Sequence, residues 1–171
     1  MKYFAYGSNM SLRRLQARVP SAQRIATGSL VGHQLRFHKR GRDGSAKCDA
    51  YQTAGIGDRV FGALFLLNPN EKGCLDRAEG LGVGYREKSV LVHSGDGQVH
   101  QAFTYVALQI DAQLKPYHWY LEHVLIGARE SRLPAEYLMQ LTAIEALTDP
   151  DAEREQRERA IYTIHSLTSV R

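Results

Sequence analysis

The order of apolar patterns along the chain constrains the fold most strongly, because strand-like runs come first and helical periodicity comes later. The early runs are rich in β-branched and aromatic residues and are bounded or broken by glycine, which is typical of strands. They cover residues 2–6, 24–38, 50–53, 59–67, 85–93 and 98–108, and the second run is long enough to be a bent strand or a strand pair. The sequence Ser94-Gly95-Asp96-Gly97 between the last two runs predicts a hairpin.

After Pro116 the apolar spacing changes to that of helices. One predicted helical face consists of Tyr117, Tyr120, Leu121, Val124, Leu125 and Ala128. A second helix is predicted after Pro134. Strands followed by helices predict an α+β domain with a mostly antiparallel sheet. We expect one domain over residues 1–149, followed by a polar helical tail over 150–171 that is solvated or faces a partner.

Composition and charge narrow the class of protein. The chain has 171 residues, 43% hydrophobic and 23% charged, which is typical of an ordinary globular domain. The net charge of +4 is spread along the chain, and the one basic cluster has no interleaved stacking aromatics. That cluster, interpreted as a solvated loop and not as a nucleic-acid site, consists of Arg36, His38, Lys39, Arg40 and Arg42. Without a long apolar run or a secretory leader pattern, we expect a cytoplasmic protein that binds neither nucleic acid nor membrane.

Cysteine and histidine spacing favours no metal site. Cys48 and Cys74 match no disulfide or zinc pattern. His118 and His123 are five residues apart, so they do not share a helical face as zinc ligands at i, i+4 do.

The first ten residues predict a binding loop. An apolar run, 2–6, breaks at Gly7-Ser8-Asn9 and leads into a helix-like segment. Gly7 permits a positive φ or a close backbone approach. Successive N–H groups before a helix form a concavity that suits a carboxylate or another anion.

Glu79 is a candidate general base. A helix over residues 68–80 is marked by Asn68 as N-cap, by a proline after it and by Gly80 at its end. Glu79 therefore lies at the negative end of the helix dipole with Asp76 one turn away, and both effects disfavour the charged carboxylate. A carboxylate in such a place beside a glycine turn suits proton transfer in a cleft, although a surface glutamate in a frayed turn fits the same pattern.

Three segments together resemble the γ-glutamylcyclotransferase family in content and order: residues 3–10, residues 75–80, and residues 127–130 with 133–137. The resemblance covers residues 1 to about 147. It implies a small mixed, mostly antiparallel β-barrel flanked by helices, with Glu79 as the general base. The substrate-binding residues that it implies are Tyr3, Phe4, Ala5, Tyr6, Gly7, Ser8, Asn9, Tyr85 and Tyr120. For Tyr85 and Tyr120, a core aromatic with a satisfied hydroxyl remains the alternative.

The reaction that the resemblance implies fits these residues. The free α-amine of a γ-glutamyl group closes onto its own γ-carbonyl, which forms 5-oxoproline and expels an amino acid or amine. A base must first accept the proton of the ammonium, whereas no enzyme nucleophile, metal or cofactor is needed. Ser8 as a nucleophile is disfavoured, because it lacks the flanking glycines of a nucleophile elbow and no motif places a histidine beside it.

The choice of substrate is less constrained than the reaction. Related glutathione-specific enzymes tend to have Gly-Ser-Leu, and γ-glutamylamine cyclotransferases Gly-Thr-Leu, so Gly7-Ser8-Asn9-Met10 favours γ-glutamyl amino acids. A γ-glutamylamine or biosynthetic deprotecting cyclotransferase and a non-catalytic module for carboxylate metabolites are the alternatives. A homodimer is compatible with the sequence, which leaves the oligomeric state open.

Overall fold

The computed structural model describes residues 1–163, which contain seven strands and five α-helices. The strands are β1 (Lys2–Ala5), β2 (Gln23–Val31), β3 (His33–Arg40), β4 (Ala46–Gln52), β5 (Arg59–Leu66), β6 (Tyr85–Ser94) and β7 (Val99–Ala107). The helices are α1 (Leu12–Gln16), α2 (Lys72–Glu79), α3 (His118–Glu130), α4 (Ala135–Thr142) and α5 (Ala152–Ala160). Short 3₁₀ turns at Ser8–Met10 and Pro69–Glu71 precede α1 and α2.

Five strands close a barrel in the order β1-β5-β2-β6-β7. All neighbours are antiparallel except β1 and β7, which pair in parallel where Tyr3 faces Phe103. Strands β3 and β4 form a separate two-stranded sheet. The α+β class and the mixed, mostly antiparallel barrel flanked by helices are therefore confirmed.

Close packing in the barrel depends on Gly62 in β5. A Cβ atom at this position would lie 2.3 Å from the carbonyl oxygen of Ala5 and 2.8 Å from the ring of Phe4, far inside van der Waals contact. Phe4 and Ala5 are both completely buried, as is Phe65. Glycine thus lets β1 lie tightly against β5, and the packed core fixes the strand from which the N-terminal loop departs.

A second close approach fixes the other end of that loop. A Cβ atom on Gly127 of α3 would lie 2.3 Å from the backbone nitrogen of Ser11 and 2.5 Å from Cβ of Met10. Met10 and Ser11 are completely buried beneath the helix. The Gly-Ala pair of the third sequence motif is therefore explained by packing, since α3 holds the loop of residues 7–11 against the barrel.

The strand predictions hold with two adjustments. The run 24–38 is a strand pair, joined by a turn in which Gly32 has φ +71°. Strand β4 begins at Ala46, earlier than the predicted 50–53.

The interpretation of the basic cluster as a solvated loop was wrong for most of its members, because four of them lie on β3 and only Arg42 follows it. His38 is buried and bonds to Asp49 at 2.9 Å, and the Lys39 ammonium lies 4.5 Å from the ring centroid of Tyr85. The carboxylate and the ring offset the cost of burying these basic groups.

Helix α5 packs against α3. Its residue Glu158 bonds to Nε2 of His123 at 3.1 Å and to Arg14, and the Tyr162 hydroxyl bonds to Nδ1 of His123 at 2.6 Å. The polar helix predicted in the tail is thus docked on the domain by charged contacts and is not solvated on all sides. Residues 164–171 of the predicted tail lie outside the described residues, and the boundary at 149 stays a prediction. No helix within residues 1–163 is long and apolar enough to cross a lipid bilayer.

Candidate active site

A small cavity lies between the N-terminal loop, the end of α2 and the β3–β4 sheet. Its lining is rich in tyrosine, and the lining residues are Tyr3, Tyr6, Gly7, Ser8, Asn9, Cys48, Glu79, Tyr85, Tyr105 and Tyr120. The cavity therefore brings together most of the residues that the sequence analysis selected.

Gly7 is required for space and not for a left-handed backbone. Its φ is −116°, so the positive φ that the sequence analysis allowed is absent. A Cβ atom would lie 3.0 Å from Cβ of Cys48 and 3.4 Å from the hydroxyl of Tyr120, which is tight contact in a fixed wall. The close-approach explanation of Gly7 is the correct one.

The loop presents free backbone donors. The N–H groups of Met10 and Ser11 bond back to Gly7 and Ser8, at 3.0 and 3.3 Å. Within residues 1–163, the N–H groups of Gly7, Ser8 and Asn9 form no hydrogen bond. Such adjacent donors beside a cavity suit an anionic oxygen.

Glu79 ends α2 and points into the cavity. Gly80 follows with φ +66°, a left-handed C-cap that only glycine adopts at low cost, so the helix stops at this residue. Oε1 of Glu79 accepts hydrogen bonds from Asn9 Nδ2 at 2.8 Å and from Arg18 at 2.9 Å. Oε2 has no hydrogen-bond partner in the described part of the chain. The side chain is 15% exposed. One carboxylate oxygen is thus anchored and the other is available.

A small hydrogen-bond network orients the groups that hold Oε1 of Glu79. Arg18 donates to Oδ1 of Asn9 at 2.8 Å as well as to Glu79, and Nδ2 of Asn9 also donates to the Tyr3 hydroxyl at 3.1 Å. Arg18 and Asn9 together hold Oε1 of Glu79 in one orientation. Sequence reasoning missed Arg18, which belongs to none of the motifs and follows α1 without a distinguishing local pattern.

Asp76, one turn before Glu79, has hydrogen-bond partners of its own. Lys72 pairs with Asp76 at 2.7 Å, and the Tyr105 hydroxyl donates to it at 2.6 Å. Partial burial opposes ionisation, but these hydrogen bonds outweigh it and hold the pKa of Asp76 below its usual value. Asp76 is thus bonded to Lys72 and Tyr105, whereas Glu79 is bonded to Arg18 and Asn9.

Two tyrosines share one backbone partner. The Tyr85 hydroxyl donates to the carbonyl of Cys48 at 2.8 Å, and the Tyr120 hydroxyl accepts from the N–H of Cys48 at 3.0 Å. Burial raises the pKa of both phenols well above its ordinary value, so both are protonated. Both also line the cavity, so the satisfied-hydroxyl and the pocket interpretations are compatible. The Tyr120 hydroxyl also lies within hydrogen-bond reach of the Cys48 thiol.

Two of the predicted substrate residues lie away from the cavity. Phe4 and Ala5 are completely buried in the barrel and do not line it. Sequence reasoning included them because they belong to the motif of residues 3–10, where they serve packing. Sequence reasoning in turn missed Cys48 and Tyr105, which the tertiary fold brings to the lining.

The cavity continues into a wider cleft with basic walls, and the two share Ser8, Glu79, Tyr85 and Tyr120. The basic residues that line the cleft are Arg14, Arg18, Lys39, Arg40, Arg42, Lys47 and Arg154. The acidic residues that line it are Asp43, Glu79 and Glu158. A ligand that leaves the cavity through this cleft meets a surplus of positive charge.

The chain is similar in sequence and fold to several known proteins. A family model described as the AIG2-like family matches residues 59–141. The γ-glutamylcyclotransferase of Homo sapiens is 31% identical over 153 residues, which span 84% of this chain and 78% of that protein. The γ-glutamylcyclotransferase of Bos taurus is 30% identical over 147 residues, with the same coverage.

A solved structure described as a γ-glutamyl cyclotransferase superposes with a TM-score of 0.82 at 27% identity, covering 92% of this chain and 97% of that one. The similarity extends over both the barrel and the helices, so the motifs, the architecture and the relatives agree. The chain is an enzyme of the cyclotransferase class, and it belongs to the γ-glutamylcyclotransferase family.

Proposed function

We propose that this enzyme converts γ-glutamyl amino acids or peptides into 5-oxoproline and a free amino acid or amine, with Glu79 as the general base. The observation that carries the proposal is the anchored carboxylate of Glu79, whose free oxygen Oε2 faces the same cavity as the free N–H groups of the loop. The names of the relatives support the reaction type.

Binding comes first. The N–H groups of Gly7, Ser8 and Asn9 hold an anionic oxygen of the substrate, either the α-carboxylate of the γ-glutamyl group or the oxyanion that develops later. The tyrosines surround the carbon chain, and the Tyr120 hydroxyl hydrogen-bonds to a substrate oxygen. Holding the chain folded brings the α-nitrogen next to the γ-carbonyl, which removes much of the entropic cost of ring closure.

Proton transfer follows. Oε2 of Glu79 takes a proton from the α-ammonium group, and the resulting amine attacks the γ-carbonyl carbon. The new C–N bond closes a five-membered ring and gives a tetrahedral oxyanion. The bond to the leaving nitrogen then breaks as Glu79 returns its proton to that nitrogen. The ring nitrogen still carries one proton more than in 5-oxoproline, and it passes that proton to the released amine, which departs as an ammonium. Arg18 and Asn9 hold Oε1, so they position Oε2 through both transfers.

Ser8 has no role as a nucleophile in this proposal. No histidine is among the described residues that line the cavity, so the usual activating partner of a nucleophilic serine is missing there. The carboxylate of Glu79 is the group in the lining suited to accept a proton.

For the substrate, we propose a γ-glutamyl α-amino acid, on the resemblance of Gly7-Ser8-Asn9-Met10 to that group of enzymes. Glutathione and γ-glutamylamines are the competing classes. A cytoplasmic location and a homodimer belong to the same proposal, and size-exclusion chromatography with light scattering tests the latter.

Incubation with a substrate panel tests the function. The panel contains γ-glutamyl-alanine, glutathione and γ-glutamyl-ε-lysine, and mass spectrometry detects 5-oxoproline together with the released amine. We expect equal amounts of the two products from at least the first compound. Free glutamate in place of 5-oxoproline would show a hydrolase. Binding without any product would favour the module for carboxylate metabolites.

A further inference from the structure

Most basic residues of the cleft are neutralised by a carboxylate. Arg14 pairs with Glu158 and Arg154 with Asp149. The remaining pairs are Arg18 with Glu79 at 2.9 Å, Arg40 with Asp111 at 2.8 Å and Lys47 with Asp43 at 2.7 Å. Among residues 1–163, Lys39 and Arg42 are the only basic residues of the cleft with no carboxylate within 4.0 Å, so these two cations lack a salt-bridge partner.

Lys39 is a buried cation aimed at the cleft. The residue is only 7% exposed, and its ammonium forms no hydrogen bond within the described chain. Burial lowers the pKa of Lys39, and the negative charge of Glu79 partly offsets that effect. A Cβ atom on Gly84 would lie 2.8 Å from Nζ of Lys39 and 3.4 Å from the carbonyl oxygen of Glu79. The glycine therefore leaves room for the ammonium beside the residue that holds the base.

Arg42 lies on the outer side of the same turn. Its guanidinium nitrogen would be 3.4 Å from a Cβ atom on Gly80, which directly follows Glu79. Arg42 is exposed, whereas Lys39 is buried. A path out of the cavity past the turn of residues 80–84 thus meets a buried ammonium first and an exposed guanidinium second.

We propose that Lys39 and Arg42 select γ-glutamyl substrates whose leaving group is an acidic amino acid, namely glutamate or aspartate. Lys39 binds the α-carboxylate of the leaving residue, and Arg42 binds its side-chain carboxylate. A leaving residue with one carboxylate compensates only one of the two cations, whereas a dicarboxylate compensates both. This inference rests on the proposed function, since it assigns the leaving group of that reaction.

The test compares γ-glutamyl-glutamate with γ-glutamyl-glutamine, which has the same shape and one negative charge fewer. For the wild-type enzyme we expect kcat/KM to be about 2–10-fold higher for the acidic substrate, since Arg42 is exposed and its ion pair is screened by water. The preference should shrink as salt is added. Arg42→Gln should bring the ratio close to one. Arg157→Gln, which changes an exposed cation of α5 outside the cleft, should leave the ratio as it is in the wild type.

The role proposed for Lys39 predicts a different kinetic effect from that of Arg42. Lys39→Gln should lower kcat/KM about 10–100-fold for both dipeptides, because a partly desolvated charged hydrogen bond to the substrate is lost. The loss should be distinctly smaller for γ-glutamyl-butylamine, because the leaving group of this substrate has no carboxylate. An equal loss for all three substrates would mean that Lys39 contacts the γ-glutamyl part and would overturn its assignment. An unchanged acidic preference in Arg42→Gln would overturn the assignment of Arg42.

Binding measurements test the selection of an acidic leaving group independently of the proposed cyclisation. N-acetyl-γ-glutamyl-glutamate and N-acetyl-γ-glutamyl-glutamine have no free amine and do not cyclise, so calorimetry reports their affinity whether or not the enzyme turns over. Tighter binding of the acidic compound, lost in Arg42→Gln, supports the inference even if no 5-oxoproline forms from any substrate. Equal affinities in the wild type would refute the inference even if the cyclisation is confirmed.

Discussion

Replacing Glu79 by glutamine isolates the base from the rest of its network. The amide oxygen of glutamine can accept the same two hydrogen bonds, from Asn9 and Arg18, that Oε1 accepts at 2.8 and 2.9 Å. The amide nitrogen then occupies the position of Oε2 and accepts no proton. The substitution therefore removes proton transfer while it preserves the geometry of the cavity.

The kinetic and structural effects differ in size. Loss of a positioned general base lowers kcat by ~10²–10⁴-fold, or about 3–5 kcal/mol in activation free energy. The Arg18–Glu79 ion pair is partly exposed, at 23% and 15% of the two side chains, so its loss is screened. We expect the free energy of unfolding to fall by only about 1 kcal/mol. The rate effect should exceed the stability effect several-fold.

Two assays separate these effects. Formation of 5-oxoproline is followed by mass spectrometry under saturating substrate, and unfolding is followed by circular dichroism in urea. Glu136→Gln, at an exposed position in the first turn of α4, serves as the matched control and should change neither quantity.

A third variant sharpens the test. Glu79→Ala frees space in the cavity next to Arg18, so formate should enter, act as an external base and restore part of the rate in proportion to its concentration. Turnover of Glu79→Gln within a few-fold of the wild type would refute the role of Glu79. A loss of rate that only tracks unfolding would assign the residue to stability.

Four further expectations follow from the same structure. Gly7→Ala should reduce kcat/KM more than Ser8→Ala, because the added methyl group would lie 3.0 Å from Cβ of Cys48, whereas the serine substitution keeps the backbone donors. An acyl adduct on Ser8 would contradict this order. An N-acetyl-γ-glutamyl dipeptide should not be cleaved, since its nitrogen is not basic, and release of its amino acid would indicate water as the nucleophile. Activity should survive exhaustive EDTA treatment, and recovery on adding zinc or magnesium after a loss would refute the proton-transfer mechanism. Burial and the charge of Arg14 lower the pKa of His123 from its ordinary 6.5 to about 4. As the pH falls through this range, His123 takes up a proton in the unfolded chain but not in the folded chain. The free energy of unfolding should therefore drop by about 3 kcal/mol between pH 6.5 and 4, and a pH titration of unfolding should show His123→Gln with a flatter curve.

Local patterns predicted the elements of this fold but not every environment. The strand runs, the helical face of α3 and the cap at Gly80 depend on neighbours in sequence, and these predictions hold. Asn68 is also a cap, but of the 3₁₀ turn Pro69–Glu71 that precedes α2 and not of α2 itself. Lys39 belongs to a run that is basic in sequence, yet it is buried, because the ring of Tyr85 arrives from a strand more than forty positions away. Distant contacts of this kind leave no local signal.

Some residues of the candidate site were likewise predictable from local sequence, and others were not. Glu79 and the loop of residues 7–9 were predictable because each is part of a short motif and of a recognisable turn. Arg18 was not, because its role comes from a distance of 2.9 Å to a residue 61 positions later. Phe4 and Ala5 were assigned to the substrate by their membership of the motif, whereas the structure places them in the core. A sequence motif indicates which residues occur together in a family, but it does not distinguish residues that pack in the core from residues that bind the substrate.

The position of β1 in the barrel has a consequence for how activity arises during folding. The strand comes first in the chain, but it pairs with residues 63–66 of β5 and meets β7 at Phe103, so its partners are separated from it by 58 to 100 positions. Such pairings carry a high entropic cost of loop closure and form late. The loop of residues 7–9 is held where β1 leaves the barrel, so it gains its place beside Glu79 only after β7 has been synthesised and the barrel has closed. A ribosome-bound or truncated chain that ends before residue 99 therefore has every residue of the N-terminal motif and the base, and still has no assembled site.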